Sequence, residues 1–351
     1  RIRCCKSKNR NIGERIMALT QVPNELLEIG VKAFGTSSIM IGDTTTGTID
    51  AANNNTGVGV DVFESLNTGD NNTAIGTRSS NVLTTGSNNT TVGYNSGQGL
   101  TTGGKNTFIG DSAGNETTTA SFNTAVGYTA LLLNTTGTQN NAFGSGSLDA
   151  CTTGSYNCAF GQASLGSLTT ASQNVAVGDN AMQFNTTGGN NVGIGQDALR
   201  NCETGVSNTA VGHQALDACT GNNNTAYGKD SLGTLTSGSH NVACGLNALV
   251  AQTTSNNNTA MGSGAGFVCT TGDKNTFIGR ESGVAVTTGS NSVYVGGSAG
   301  YDVTVGGQNV IVGVNNQGGG TGSSYRTILG YGLVGHTDDA TLLGRGSNDS
   351  Q

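Results

Sequence analysis

Hydrophobic and polar positions along this chain recur on a fixed period. A β-branched residue, a small residue and an aliphatic residue stand in a row and are closed by glycine, as in Thr73-Ala74-Ile75-Gly76, Thr124-Ala125-Val126-Gly127 and Thr209-Ala210-Val211-Gly212. The closing glycines fall at Gly42, Gly59, Gly76, Gly93, Gly110, Gly127, Gly144, Gly161, Gly178, Gly195, Gly212, Gly228, Gly245, Gly262, Gly279, Gly296, Gly313 and Gly330. Of the 17 intervals, 16 are 17 residues and one, Gly212 to Gly228, is 16; Gly344 follows after 14. Alternation with period two over so short a run predicts a strand with one buried face. The aliphatic column before the glycine, Val126 among it, is read as that core face.

Four residues after the glycine the chain returns to Leu131, Leu148, Leu165, Leu199, Leu216, Leu232 and Leu249. Seven after it come Leu66, Leu83, Leu100, Cys151, Leu168, Cys202 and Cys219, which predicts a second inward side. A Thr-Thr-Gly turn follows, as in Thr84-Thr85-Gly86 and Thr135-Thr136-Gly137. A strand this short cannot pair within its own coil, so it must pair with the same strand one coil away. The predicted fold is therefore all-β, a parallel β-solenoid of 17-residue coils over residues 37–330, with an attachment segment at 1–36 and a cap at 331–351.

Stacking places identical residues about 4.8 Å apart. Asn72, Asn89, Asn106, Asn123, Asn140, Asn157, Asn174, Asn191 and Asn208 each stand four before a motif glycine, as do Asn55, Asn224, Asn241, Asn258, Asn275 and Asn309. Amides at that spacing can bond to one another in a ladder. The motif glycine can turn a corner with positive φ at no steric cost. Proline is a single residue, Pro23, which fits a stack that needs its interior N–H groups.

Composition narrows the function classes. Glycine is 58 of 351 residues, tryptophan is absent and 11% of residues are charged. Such a chain could be disordered, but disorder keeps no register. The net charge of −7 and the lack of a basic patch interleaved with aromatics in the repeats argue against nucleic-acid binding. Arg1, Arg3, Lys6, Lys8, Arg10 and Arg15 form a basic segment before the array that reads as a solvated tail, a polyanion contact or sequence upstream of Met17. No apolar run reaches the roughly 18 residues that span a bilayer, and no secretory h-region is visible near Arg1.

The unit Asn291-Ser292-Val293-Tyr294-Val295-Gly296, with the commoner Asn-Thr-Ala-aliphatic-Gly form, resembles the head repeat of YadA-type trimeric autotransporter adhesins. The likeness covers roughly residues 38–344 and implies a left-handed β-roll in which three chains form one head. That family uses shorter coils; the longer period here is more similar to repeat arrays in fibre proteins of bacteriophages and large viruses. The opening Met17-Ala18-Leu19 stretch also looks like a fibre N-terminus. Nothing resembles an autotransporter stalk or anchor, or the self-cleaving chaperone that follows many phage arrays.

Chemical motifs read as products of the repeat. Gly110-Asp111-Ser112-Ala113-Gly114 and Gly296-Gly297-Ser298-Ala299-Gly300 fit the nucleophile elbow, but both start on a motif glycine and no His recurs beside them. Gly193-Ile194-Gly195 lacks the strand–helix context of a dinucleotide site. Asp61, Asp111, Asp179, Asp197 and Asp230 occupy two phases and miss most coils, unlike a calcium-binding array. His213, His240 and His336 stand at unrelated phases. Cys151, Cys202, Cys219 and Cys269 take the Leu position and read as core; Cys202 and Cys219 are neighbours with parallel Cβ vectors that suit a disulfide poorly. Cys4 and Cys5 lie outside the array and read as the more reactive pair. Asn71-Asn72-Thr73 and Asn134-Thr135-Thr136 match the glycosylation acceptor, and paired threonines raise ice binding, though only one of each pair can face outward.

The expectation is a non-enzymatic shaft without catalytic residues, metal or cofactor. The favoured reading is a homotrimeric viral or phage tail fibre on a virion surface, joined to a base or neighbouring subunit through residues 1–36 and projecting a surface for a host receptor or glycan. The other reading is a bacterial surface adhesin or extracellular filament. Neither needs nucleic acid or membrane insertion.

Overall fold

In the computed structural model the described residues are 30–34, 37–42, 51–335 and 337–346. Cys4, Cys5, His336 and most of the 1–36 attachment segment lie outside them. Every strand belongs to one sheet, and no helix occurs among the described residues. Strands β1 (Gly30–Phe34), β2 (Ser38–Gly42) and β3 (Thr56–Gly59) open the sheet. Fifteen three-residue strands follow, the first Thr73–Ile75 and the last Val310–Val312. Strands β4 (Thr327–Tyr331) and β5 (Thr341–Arg345), numbered here after the short series, complete it.

Pairing is parallel and in register at every step from β2 onward. Thr73 stands opposite Thr90 and Val126 opposite Phe143, so each column of the sequence becomes a column in space. Hydrogen bonding continues beyond the strands. Thr73 N–H donates to Asn89 O (2.8 Å), Gly97 N–H to Ala113 O (2.9 Å) and Thr101 N–H to Thr118 O (2.9 Å). Most donors and acceptors around the circuit are thus satisfied by adjacent coils, and corner groups bond within their own coil, as Leu100 N–H does to Gly97 O (3.1 Å).

Corners rest on left-handed backbone. Gly127 has φ +139, and a Cβ there would lie 2.6 Å from Gly144 O in the next coil. Glycine is required on both counts. Non-glycine corners also occur, for instance Leu131 (φ 54), Leu148 (φ 51) and Leu165 (φ 52). Each costs roughly 1–2 kcal/mol, which burial of the leucine offsets.

The interior is filled by the residue in the middle of each strand and by the two later columns. Ala125, Ala142 and Ala176 are fully buried, as are Leu131, Leu148, Leu165, Leu168 and Cys151. The aliphatic column before the glycine is not core. Val126 is only half-buried, and Ile75, Ile109, Val177 and Ile194 are exposed. The alternation is present with its polarity opposite to the expectation: leucines from the later columns fill the narrow lumen, so the strand turns only Ala or Gly inward in most coils.

The 16-residue coil keeps the strands aligned, with Thr209 opposite Thr225. The missing residue is taken from the corner, where Cys219-Thr220-Gly221 stands against Cys202-Glu203-Thr204-Gly205. At the N-terminal end β1 runs antiparallel to β2, with Val31 opposite Ile41. At the other end β5 pairs parallel with β4, Gly344 opposite Gly330, so the stack adds a strand inside the segment expected only to cap it. Arg326 occupies the asparagine position there; its guanidinium reaches Ser323 Oγ (2.7 Å) and pairs with Asp338 (3.1 Å).

Candidate functional site

Two columns carry most of the structural chemistry: the buried asparagines and the outward aliphatics. Asn72, Asn89, Asn106, Asn123, Asn140, Asn157, Asn174, Asn191 and Asn208 are all buried. Asn106 shows the geometry. Its backbone N–H donates to Asn89 Oδ1 in the preceding coil (3.0 Å), its Nδ2 to the same oxygen (3.1 Å) and also to Ala120 O in the following coil (2.9 Å). The side chain therefore ties three pieces of chain together. Direct amide-to-amide bonds recur in several steps only; the constant feature is a backbone N–H donating to the amide oxygen of the preceding coil, as Asn140 N–H does to Asn123 Oδ1 (2.9 Å) and Asn208 N–H to Asn191 Oδ1 (2.8 Å). Ser292 continues the column with a hydroxyl, accepting from Asn309 N–H (3.1 Å).

The outer strand face presents the other column. Along it run Ile75, Ile109, Phe160, Val177, Ile194, Met261 and Ile278, all exposed, with Val92, Val126, Phe143 and Val211 half-buried between them. Phe143 and Phe160 stack at 4.6 Å between centroids, 4° from parallel. Threonines or valines form the parallel column two residues earlier, including Thr73, Thr107, Thr124 and Val175. A flat, nearly uncharged strip of this length is larger than the scattered apolar residues of ordinary surfaces.

The remaining candidates are not gathered into a site. Ser112 is turned to its own neighbour, bonding Asp111 Oδ1 (2.7 Å). Asp61 pairs with Arg78 (3.5 Å), Asp197 with Arg200 (3.6 Å), and Asp230 with Lys229. His240 Nε2 lies 3.5 Å from Asn223 Nδ2. No group of three or more His, Cys, Asp or Glu placed to hold a metal occurs among the described residues. Among them, too, no helix is long and apolar enough to cross a membrane.

The paired threonines divide although they lie in a bend and not in a strand. Thr84 donates its hydroxyl to Thr101 O (3.1 Å) and Thr135 to Thr152 O (3.0 Å), whereas Thr85 and Thr136 are exposed. Polar residues that the sequence reading passed over stand in the Leu/Cys core column: Thr117, Asn134, Asn185 and Gln252 are fully buried. Asn134 Nδ2 reaches Gly137 O (3.0 Å) and Gln252 Nε2 reaches Ser255 O (2.9 Å), so the corner carbonyl accepts them. Their fixed phase, seven after the glycine, was the available signal.

Compared with known proteins, the chain matches no family model, no curated protein and no solved structure.

Proposed function

We propose that this chain is the shaft of a fibre, a homotrimer that projects a binding surface from a viral or phage particle. The observation that carries the reading is the aliphatic column on the outer strand face. A single chain leaves Ile109 and Ile194 exposed in an unbroken apolar strip; closed cyclic association would bury it. The stack supplies stiffness and length, with 18 glycine-marked coils giving a rod on the order of 80 Å. Residues 1–36 would join the rod to its base, and a host receptor or glycan would meet its outward side chains.

Light scattering of the purified full chain tests the assembly. A mass about three times 35.1 kDa, constant on dilution, is the expected result. A folded monomer at that mass overturns the trimer. Immunogold electron microscopy against the chain tests the particle: labelled fibres on virions support the shaft, and labelled bacterial surfaces favour the adhesin instead.

A further inference from the structure

At one corner of every coil the chain keeps a side chain where the backbone favours glycine. The residue five before each motif glycine is left-handed, from Ser37 (φ 61) through Phe122 (φ 63) and Tyr156 (φ 62) to Asp339 (φ 57). Two other left-handed columns use glycine in some coils, as at Gly146 (φ 64) in one and at Gly97 (φ 57) and Gly114 (φ 61) in the other. This column never does, although each of its side chains is exposed. Asparagine tolerates the conformation, which accounts for corners such as Asn71 and Asn88. It does not account for the five successive coils that carry Lys105, Phe122, Gln139, Tyr156 and Gln173.

Packing within the rod does not explain these five either. Phe122 is 53% exposed and Tyr156 is 58% exposed. Their backbone bonds, Phe122 N–H to Gly104 O (3.2 Å) and Tyr156 N–H to Thr138 O (3.0 Å), need no side chain. Among the described residues the five side chains make one polar or ring contact, and it lies within the row: Lys105 Nζ stands 4.8 Å from the centroid of the Phe122 ring. Coils repeat about every 4.8 Å along the axis, so Phe122 and Tyr156 stand two steps apart. Gln139 occupies the step between them and Gln173 the step beyond.

We propose that Lys105, Phe122, Gln139, Tyr156 and Gln173 form a binding row for a neutral polysaccharide that lies along the rod. The inference rests on the reading of the chain as a receptor-facing shaft and gives that receptor a chemical class. A sugar ring presents apolar C–H faces and a rim of hydroxyls. Exposed aromatic rings suit the faces, and amides, which both donate and accept, suit the rim. The alternation of ring, amide, ring, amide repeats both features along one line, as a polymer of sugars does. Lys105 carries the row's single charge and the whole chain is net −7, so the row does not select a polyanion. Backbone bonds to the neighbouring coils hold the row's spacing before any ligand arrives, which lowers the ordering cost of binding.

Affinity electrophoresis of the full chain through gels holding mannan, β-glucan or dextran tests the row. Retardation by at least one of the three is expected. Phe122→Asn combined with Tyr156→Asn installs the residue that already stands at Asn71 and Asn88, so the circular dichroism should be unchanged. That double variant should bind at least about tenfold more weakly. Tyr128→Ala, which removes a 60%-exposed aromatic from another column, should bind as the parent does. Retardation by none of the three polymers, or undiminished binding in the double variant, overturns the row. Light scattering of the same samples keeps the two readings apart. A trimer that binds none of the polymers removes the row and leaves the shaft. A folded monomer that binds through Phe122 and Tyr156 removes the trimer and leaves the row.

Discussion

Phe108 and Gly114 fill one slice of the core between them: a Cβ on Gly114 would lie 2.7 Å from the Phe108 ring. The relationship recurs in both senses. Gly283 faces Phe277, where a Cβ would meet the ring at 2.3 Å, and Gly300 faces Tyr294 at 2.4 Å. In the opposite arrangement Gly57 on the strand makes room for Phe63, and Gly193 for Met182, where added Cβ atoms would approach to 3.2 and 2.9 Å. Most coils pair Ala with Leu instead, as Ala125 with Leu131. The lumen has a fixed volume, and the two inward columns divide it.

That reciprocity predicts a coupled pair. Gly114→Ala should destabilise the chain by about 1–3 kcal/mol through overpacking, beyond the backbone cost of Ala at φ +61. With Phe108→Ala already present, the overpacking part should vanish. Chemical denaturation of the four chains in the double-mutant cycle measures the coupling, and additive effects would refute the shared volume.

The asparagine column predicts a penalty confined to the interior. Asn140→Asp places a carboxylate where Nδ2 donates to Gly154 O at 2.8 Å, turning a donor into a buried charge. A loss of about 3 kcal/mol or more is expected. Gln139→Asp, one residue earlier and exposed, should change stability by no more than about 0.5 kcal/mol. Equal thermal midpoints for the two variants would remove the column's importance.

The outer face predicts separable effects on folding and assembly. Ile109→Lys and Val126→Lys project into the strip rather than the lumen, so the solenoid's circular dichroism should survive. The assembled mass in light scattering should fall toward that of one chain. Ala125→Lys, aimed into the lumen, should unfold the coil instead. Unchanged mass in both outward variants would place the interface elsewhere.

Alkaline pH should weaken the reduced protein through its isolated core thiols. Burial raises Cys151 from 9.0 to about 11 and Cys269 from 9.0 to about 12. The folded chain keeps both protonated while the unfolded chain ionises. Their contribution is therefore fully present below pH 9 and is lost as pH rises through 9 toward 11 and 12. At about 1.4 kcal/mol per pH unit, the difference corresponds to about 3 kcal/mol for Cys151 and about 4 kcal/mol for Cys269 across that window. Thermal midpoints at successive pH values should fall less steeply for Cys151→Val with Cys269→Val than for the parent; parallel curves would refute the assignment.

Much was legible in the residues alone. The spacing of Gly76, Gly93 and Gly110 requires stacked coils, because three-residue strands can satisfy their backbone groups only through copies of themselves one period away. The asparagine phase and the Leu131 and Cys151 columns follow from the same period. What periodicity does not carry is polarity: Thr124-Ala125-Val126 alternates equally well with either face inward. Tertiary structure decides it, since Leu131 and Leu148 close the lumen from the far side and leave space for Ala125 but not for Val126. The same limit hid the second role of Asn106, whose bond to Ala120 O ties its corner to the turn that precedes Asn123 in the next coil. The sequence by itself determined the period and the columns; only the folded circuit, by fixing how much volume the lumen holds, decided which column faces in and which is left exposed.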